Sequence, residues 1–248
     1  MDIGGKFMIV YGRNVAMAYL QQPQKVRKVY VQEGFRDETL NCLLHQVSLP
    51  VTFCDKKQLD GMANGLHQGI VLEVEDYRYV PLSHFWQEEN SFLLLLDHIE
   101  DPHNLGAIIR TAEAAGVDGV VLPKDRSASI NATVVKTSVG TTLEVPICQV
   151  VNLRDTIQAL KEHGYWIVGT TLSANSQDYQ TIDYCGKVAI VIGNEGSGMS
   201  RLVQESCDFL AHIPMYGKVN SLNASVSAGI MIYEVLRQRR IYEQNQKQ

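Results

Sequence analysis

Residues Phe92-Leu93-Leu94-Leu95-Leu96 form an unbroken apolar run. A strand with one wet face alternates apolar and polar residues, whereas a strand covered on both faces does not alternate. The run therefore predicts an interior strand of a parallel sheet. The downstream residues repeat the theme. A helical pattern carries Leu105, Ile108, Ile109 and Ala112 on one face, with Asn104 as its expected N-cap and Gly116 as its C′ residue. Strands are predicted at 120–122, 147–150, 166–171, 188–192 and 209–213, and helices at 132–138, 153–163 and 199–206. A long final helix should bury Leu222, Val226, Ile230, Tyr233 and Leu236. Alternating strands and helices give an α/β fold, a parallel sheet with helices on both faces. Ligands of such sheets sit beyond the carboxyl ends of the strands.

The chain before this sheet has a different character. Strands are expected at 8–11, 29–32, 50–53 and 68–74, with helices around 15–20, 38–46 and 57–63. The expected organisation is a small α/β domain over 1–75, a linker over 76–90 and a larger domain over 91–248. The 248 residues suffice for two cores. No apolar run approaches the roughly 20 residues that span a bilayer, and residues 1–7 lack the pattern of a leader. Five scattered cysteines without CxxC spacing read as reduced thiols of a cytoplasmic protein with no zinc site. A net charge of −5 argues against holding nucleic acid by bulk charge. Basic clusters remain at Lys25-Val26-Arg27-Lys28, at Lys124 with Arg126, and at Arg237 with Arg239-Arg240.

Three polar, glycine-containing loops follow apolar strands. They are Asp97-His98-Ile99-Glu100-Asp101-Pro102-His103-Asn104-Leu105-Gly106-Ala107-Ile108-Ile109-Arg110, then Gly193-Asn194-Glu195-Gly196-Ser197-Gly198-Met199, then Ile213-Pro214-Met215-Tyr216-Gly217-Lys218-Val219-Asn220-Ser221-Leu222-Asn223-Ala224-Ser225-Val226. None matches the glycine fingerprints for dinucleotides or nucleoside triphosphates. His98 and His103 with Asp97 and Asp101 lack a further histidine at ligand spacing, so no metal site is expected. Ser221 and Asn223 stand where the last helix begins, which suits capping. A cap needs only one of them, and the rest of the loop suits a ligand.

The three loops resemble the three motifs of the SpoU (TrmH-type) RNA ribose methyltransferases: D-x-I-x-D-P-x-N-L-G-A-I-I-R-T-A, I-G-N-E-G-S-G-M and I-P-M-x-G-x-V-x-S-L-N-A-S-V. The stretch Leu122-Pro123-Lys124-Asp125-Arg126-Ser127-Ala128, with Asn131-Ala132, is similar to the branch that methylates a guanosine ribose in large-subunit ribosomal RNA. The first domain, ending in His67-Gln68-Gly69-Ile70, resembles that branch's ribosomal-protein-like RNA-binding domain. The resemblance implies a SPOUT fold with a trefoil knot, a homodimer, and S-adenosylmethionine held in the knot. It implies cofactor contacts from Gly193, Ile213, Leu222, Thr170 and Met215. It implies an active site of Asn104, Arg110, Glu195, Ser221 and Asn223, each present here, with Arg110 at the 2′-oxygen and the substrate phosphate. It implies no metal. Two other readings stay open: a transfer-RNA ribose methyltransferase of the same fold, and a non-catalytic RNA-binding knot protein. In the first domain, Lys25, Arg27 and Lys28 are the expected RNA contacts.

Overall fold

The computed structural model describes residues 7–86 and 89–246. The expectation about a leader at the N-terminus falls almost wholly on residues 1–6, outside them. The chain divides into two compact units.

The first unit contains β1 (Phe7–Tyr11), α1 (Arg13–Leu20), β2 (Val26–Gln32), α2 (Glu38–Gln46), β3 (Val51–Cys54), α3 (Lys56–Met62) and β4 (Ile70–Glu75). Its sheet runs β1-β4-β2-β3, antiparallel except for the β2–β3 pair. Val10, Val29 and Leu72 meet side by side in register and are fully buried. The helices start where their caps dictate. Asp37 accepts from the Leu40 amide, and Asp55 with Gln58 forms a reciprocal capping box.

The second unit contains β5 (Phe92–Asp97), α4 (Pro102–Ala114), β6 (Gly119–Pro123), then, after an excursion into the first unit, β7 (Ile147–Val150), α6 (Leu153–Glu162), β8 (Trp166–Thr170), β9 (Gln177–Asp178), β10 (Val188–Gly193), α7 (Arg201–Ser206), β11 (Phe209–His212) and α8 (Ala224–Gln246). Its seven strands are parallel and ordered β7-β6-β5-β10-β8-β11-β9. Every residue of β5 is buried, as its unbroken apolar run predicts. The strand order reverses direction between β5 and β10, so the carboxyl edge opens there.

Four expectations need correction. First, Ile130–Leu143, which contains α5 (Ala132–Thr137), belongs to the first unit and not to the 91–248 domain. Val135 is fully buried in the core with Val10, Val15 and Leu72. Lys136 Nζ donates to the Leu66 carbonyl at 2.8 Å and lies over the Tyr11 ring, and burial lowers its pKa. Sequence order misled because α5 reads as one more crossover helix. Second, the stretch 76–90 is more than a linker. Val80 bridges to Cys148, and Phe85 is buried in the second unit's core, where a side chain on Gly119 would strike its ring.

Third, α4 is capped by Asp101, whose Oδ1 accepts from the His103 amide at 2.9 Å. Asn104 therefore lies inside the first turn, with its side chain released from capping. The other end follows expectation: Gly116 has φ +69°, its amide donates to the Glu113 carbonyl, and the Val117 amide donates to that of Ala112. That is a Schellman closure. Fourth, α8 buries Ala224, Ala228, Met231, Ile232 and Val235. Val226 is 49% exposed and Tyr233 52% exposed, while Leu222, Ile230 and Leu236 are half-buried. Small residues on the true inner face let α8 lie close against α4, with Gly229 facing Thr111.

Candidate active site

The second loop is built by its own glycines. The Asn194 and Gly198 amides donate to one another's carbonyls, closing a tight turn. Gly198 stands at φ +67°, a backbone region that side chains disfavour. A Cβ on Gly193 would sit inside contact distance of the Gly198 carbonyl carbon and the Met199 nitrogen. Asn194 Oδ1 accepts from the Gly196 and Ser197 amides, and Asn194 Nδ2 donates to the His98 carbonyl at 3.0 Å. The second loop is thereby fastened to the first.

The second loop, with the chain that follows β8 and β11, encloses a cavity of about 260 Å³ at the ends of β8, β10 and β11. Thr170, Gly193, Ile213, Met215 and Leu222 all line it, and so do Glu195 and Ser221. Seven residues from three separated stretches of chain thus converge on one space. Thr170 spends its hydroxyl proton on the Val191 carbonyl at 2.9 Å. The rest of the wall mixes apolar or bare-backbone positions, among them Ile192, Ala211, Gly196 and Gly198, with the polar side chains of Thr171, Ser197, Asn220 and Ser227. Asn194 of the second loop and His212, at the end of the strand predicted over 209–213, also line it.

Asn104 and Asn223 join this site through a directional relay. Asn223 Oδ1 accepts from the Ser225 amide at 2.9 Å and from the Ser225 hydroxyl at 2.6 Å, capping α8. Its Nδ2 then points to Asn104 Oδ1 at 3.0 Å, and Asn104 Nδ2 donates to Glu195 Oε1. Only one orientation of each amide satisfies every link. Capping and site-building are therefore two uses of one side chain. Arg110 stands apart: it lies on the exposed side of α4, outside the cavity lining, with no side-chain partner among the described residues. Six residues along a helix turn it about 120° from Asn104. Ser221 is exposed at the cavity's edge.

Comparison with known proteins agrees with this architecture. Residues 91–233 match the SpoU rRNA methylase family, and residues 9–80 match the RNA 2′-O ribose methyltransferase substrate-binding domain. The chain is 44% identical over 240 residues to a protein of Staphylococcus haemolyticus named for the TrmH family of tRNA/rRNA methyltransferases, covering 94% of this chain and 96% of the relative. It superposes on the AdoMet-bound rRNA methyltransferase of Sinorhizobium meliloti with a TM-score of 0.78 at 29% identity, covering 93% of this chain and 87% of that one. The SpoU methyltransferase AviRb of Streptomyces viridochromogenes, in complex with AdoMet, gives a TM-score of 0.81 at 25% identity, covering 94% and 90%. Fold and site define an RNA methyltransferase. The chain belongs to the SpoU rRNA methylase family.

Proposed function

We propose that this enzyme transfers a methyl group from S-adenosylmethionine to the ribose 2′-hydroxyl of a guanosine in large-subunit (23S) ribosomal RNA. The observation that carries the reading is the convergence of Thr170, Gly193, Ile213, Met215 and Leu222 on one cavity, with Glu195 at its wall. The donor set suits the cofactor. Backbone-lined glycines admit a flat base, Ile213 and Leu222 offer apolar faces to it, and the Glu195 carboxylate offers a negative neighbour to a cation. When bound, the cofactor supplies an electrophilic methyl on a sulfonium.

A ribose hydroxyl attacks poorly until its proton is removed or its developing charge is stabilised. The chain's contribution is positional and electrostatic. Asn104 fixes the Glu195 carboxylate, Asn223 fixes Asn104, and the α8 backbone fixes Asn223. Arg110 serves the 2′-oxygen and its phosphate. Because Arg110 lies outside the cavity of its own chain, a homodimer is the assembly that suits it. The exposed apolar stripe of α8 at Val226 and Tyr233 supports that assembly.

The ribosomal target rests on two features: the 122–128 stretch, and a separate first unit matching a substrate-binding model. Such a substrate places the enzyme's work in the cytoplasm. In the test, ribosomal RNA and transfer RNA from a strain lacking the protein are offered with labelled cofactor, and the product is mapped. Methyl on a 23S guanosine ribose is the expected result. Label in transfer RNA alone would replace the proposed substrate. Cofactor binding with no transfer to either RNA would favour a binding protein.

A further inference from the structure

The three basic clusters of the sequence have different fates in the fold. Arg27 pairs with Glu73 and covers the Phe7 ring, and Lys28 lies over Tyr30. Arg237 pairs with Glu234, and Arg239 donates to the carbonyls of Asn90, Ser91 and Gly186. Lys25 and Arg240 of these clusters keep their side chains without a partner among the described residues, and so do both Lys124 and Arg126. The 122–128 stretch that holds them has no part in the cavity lined by Glu195.

It borders a second cavity, of about 250 Å³, at the carboxyl ends of β5, β6 and β7. Arg126 and Arg154 both line it, and Arg154 also lacks a side-chain partner among the described residues. Two non-glycine residues in left-handed backbone mark its rim: His98 at φ 59°, just after β5, and Arg126 at φ 50°, just after β6. Such conformations disfavour side chains and gather at functional sites. Val151, 84% exposed, and Leu202, 52% exposed, give the same cavity bare apolar surface. Its carboxylates are Asp97 and Asp125. Asp97 is buried, accepts from the Ser200 amide at 2.6 Å and lies 2.6 Å from His98 Nδ1, whereas Asp125 is exposed. The two guanidiniums thus share the cavity's open rim with one exposed carboxylate.

Position supplies a further reason. The His98 carbonyl at this rim accepts from Asn194 of the second loop. The strands of the two cavities meet at the neighbouring pair β5 and β10, about 5 Å apart at ordinary sheet spacing. The two cavities therefore open side by side on the same carboxyl edge of the sheet.

We propose that this second cavity is a nucleotide subsite for the substrate RNA. Arg126 and Arg154 hold a backbone phosphate near the methylated residue, and Val151 and Leu202 carry the adjoining base. Single-stranded RNA is recognised in this way, by charge along the backbone and by apolar contact with the exposed base. The inference rests on the RNA methyltransferase reading.

The test uses the full chain with the RNA that the wild type methylates. The Arg126→Gln/Arg154→Gln variant should bind that RNA at least tenfold more weakly. The slope of log affinity against log salt should become shallower by about 0.7 for each phosphate no longer neutralised. Its KM for RNA should rise far more than its kcat falls, and its affinity for S-adenosylmethionine should stay within about twofold. Val151→Ala/Leu202→Ala should weaken RNA binding with the salt slope unchanged. Arg201→Gln, which alters an exposed helical ion pair outside the cavity, should leave both affinity and slope alone. If the double arginine variant fails to bind cofactor, the exposed Arg154→Gln single variant carries the test. Unchanged RNA affinity and slope in whichever arginine variant binds cofactor overturns the subsite. A wild type that methylates no RNA would instead overturn the reading beneath it.

Discussion

Asn223 Nδ2 donates to Asn104 Oδ1 at 3.0 Å, a bond between residues 119 positions apart. It ties the start of α8 to the first turn of α4, and through Asn104 it sets the carboxylate of Glu195. Asn223 also caps α8, so its two uses need separating.

Asn223→Asp separates them. Aspartate keeps the capping oxygen and favours a helix N-terminus, but it cannot donate to Asn104. Thermal stability should hold within about 1 kcal/mol, the scale of a missing cap, while kcat falls at least tenfold. Asn223→Ala should lose stability as well. Steady-state kinetics beside thermal denaturation reads both, and full turnover by the aspartate variant would contradict the relay.

Arg110→Ala should abolish methyl transfer and leave cofactor affinity within about a factor of ten, roughly 1.4 kcal/mol, because Arg110 does not line the cavity. Titration calorimetry checks the second half. If Arg110 works across a dimer, mixing Arg110→Ala with Glu195→Ala protein should restore activity that neither variant has alone. No recovery in confirmed mixed dimers would place Arg110 in its own chain's site.

Tyr233→Glu tests the dimer itself. It puts a charge on the exposed stripe of α8, away from the buried face of Ala228, Met231 and Ile232. Sedimentation equilibrium at micromolar concentration should show the wild type as a dimer and the variant shifted to monomer. A monomeric wild type would refute the assembly.

Gly193→Ala and Gly196→Ala should differ sharply. The first puts a methyl into the Gly198–Met199 backbone, and the second meets nothing closer than Asn194 Oδ1 at 3.5 Å. The first should lose at least tenfold in cofactor affinity and lower the melting temperature, and the second should change little. Equal behaviour would mean that the 193–198 turn is not a rigid wall.

Much of this was legible in the residues. The unbroken run at β5 announced a doubly covered strand, and the second and third polar loops line a cavity at the sheet's carboxyl edge. The errors share a cause. Val226 and Tyr233 are apolar at helical spacing, and a single chain's pattern cannot separate a face buried in the core from one left open for another surface. Ala224 and Ala228, which are buried, carry too little hydrophobicity to announce themselves. Asp101 and Asn104 are both good capping residues, and only the fold shows that the first takes the cap and frees the second. Arg126 and Arg154 lie 28 positions apart, and nothing in their neighbourhoods says that adjacent strands bring them to one cavity.

The placement of Ile130–Leu143 reaches into the order in which the protein is made. Val135 completes the core around Val10, Val15 and Leu72, so the first unit cannot finish folding when its own four strands have emerged from the ribosome. Synthesis proceeds from the N-terminus and domains usually fold as they emerge. Here the early unit must wait, its apolar centre incomplete, while β5, α4 and β6 are made. A nascent chain stopped before residue 130 should therefore remain protease-sensitive in a region whose own strands are all present, and one extended past Leu143 should become resistant.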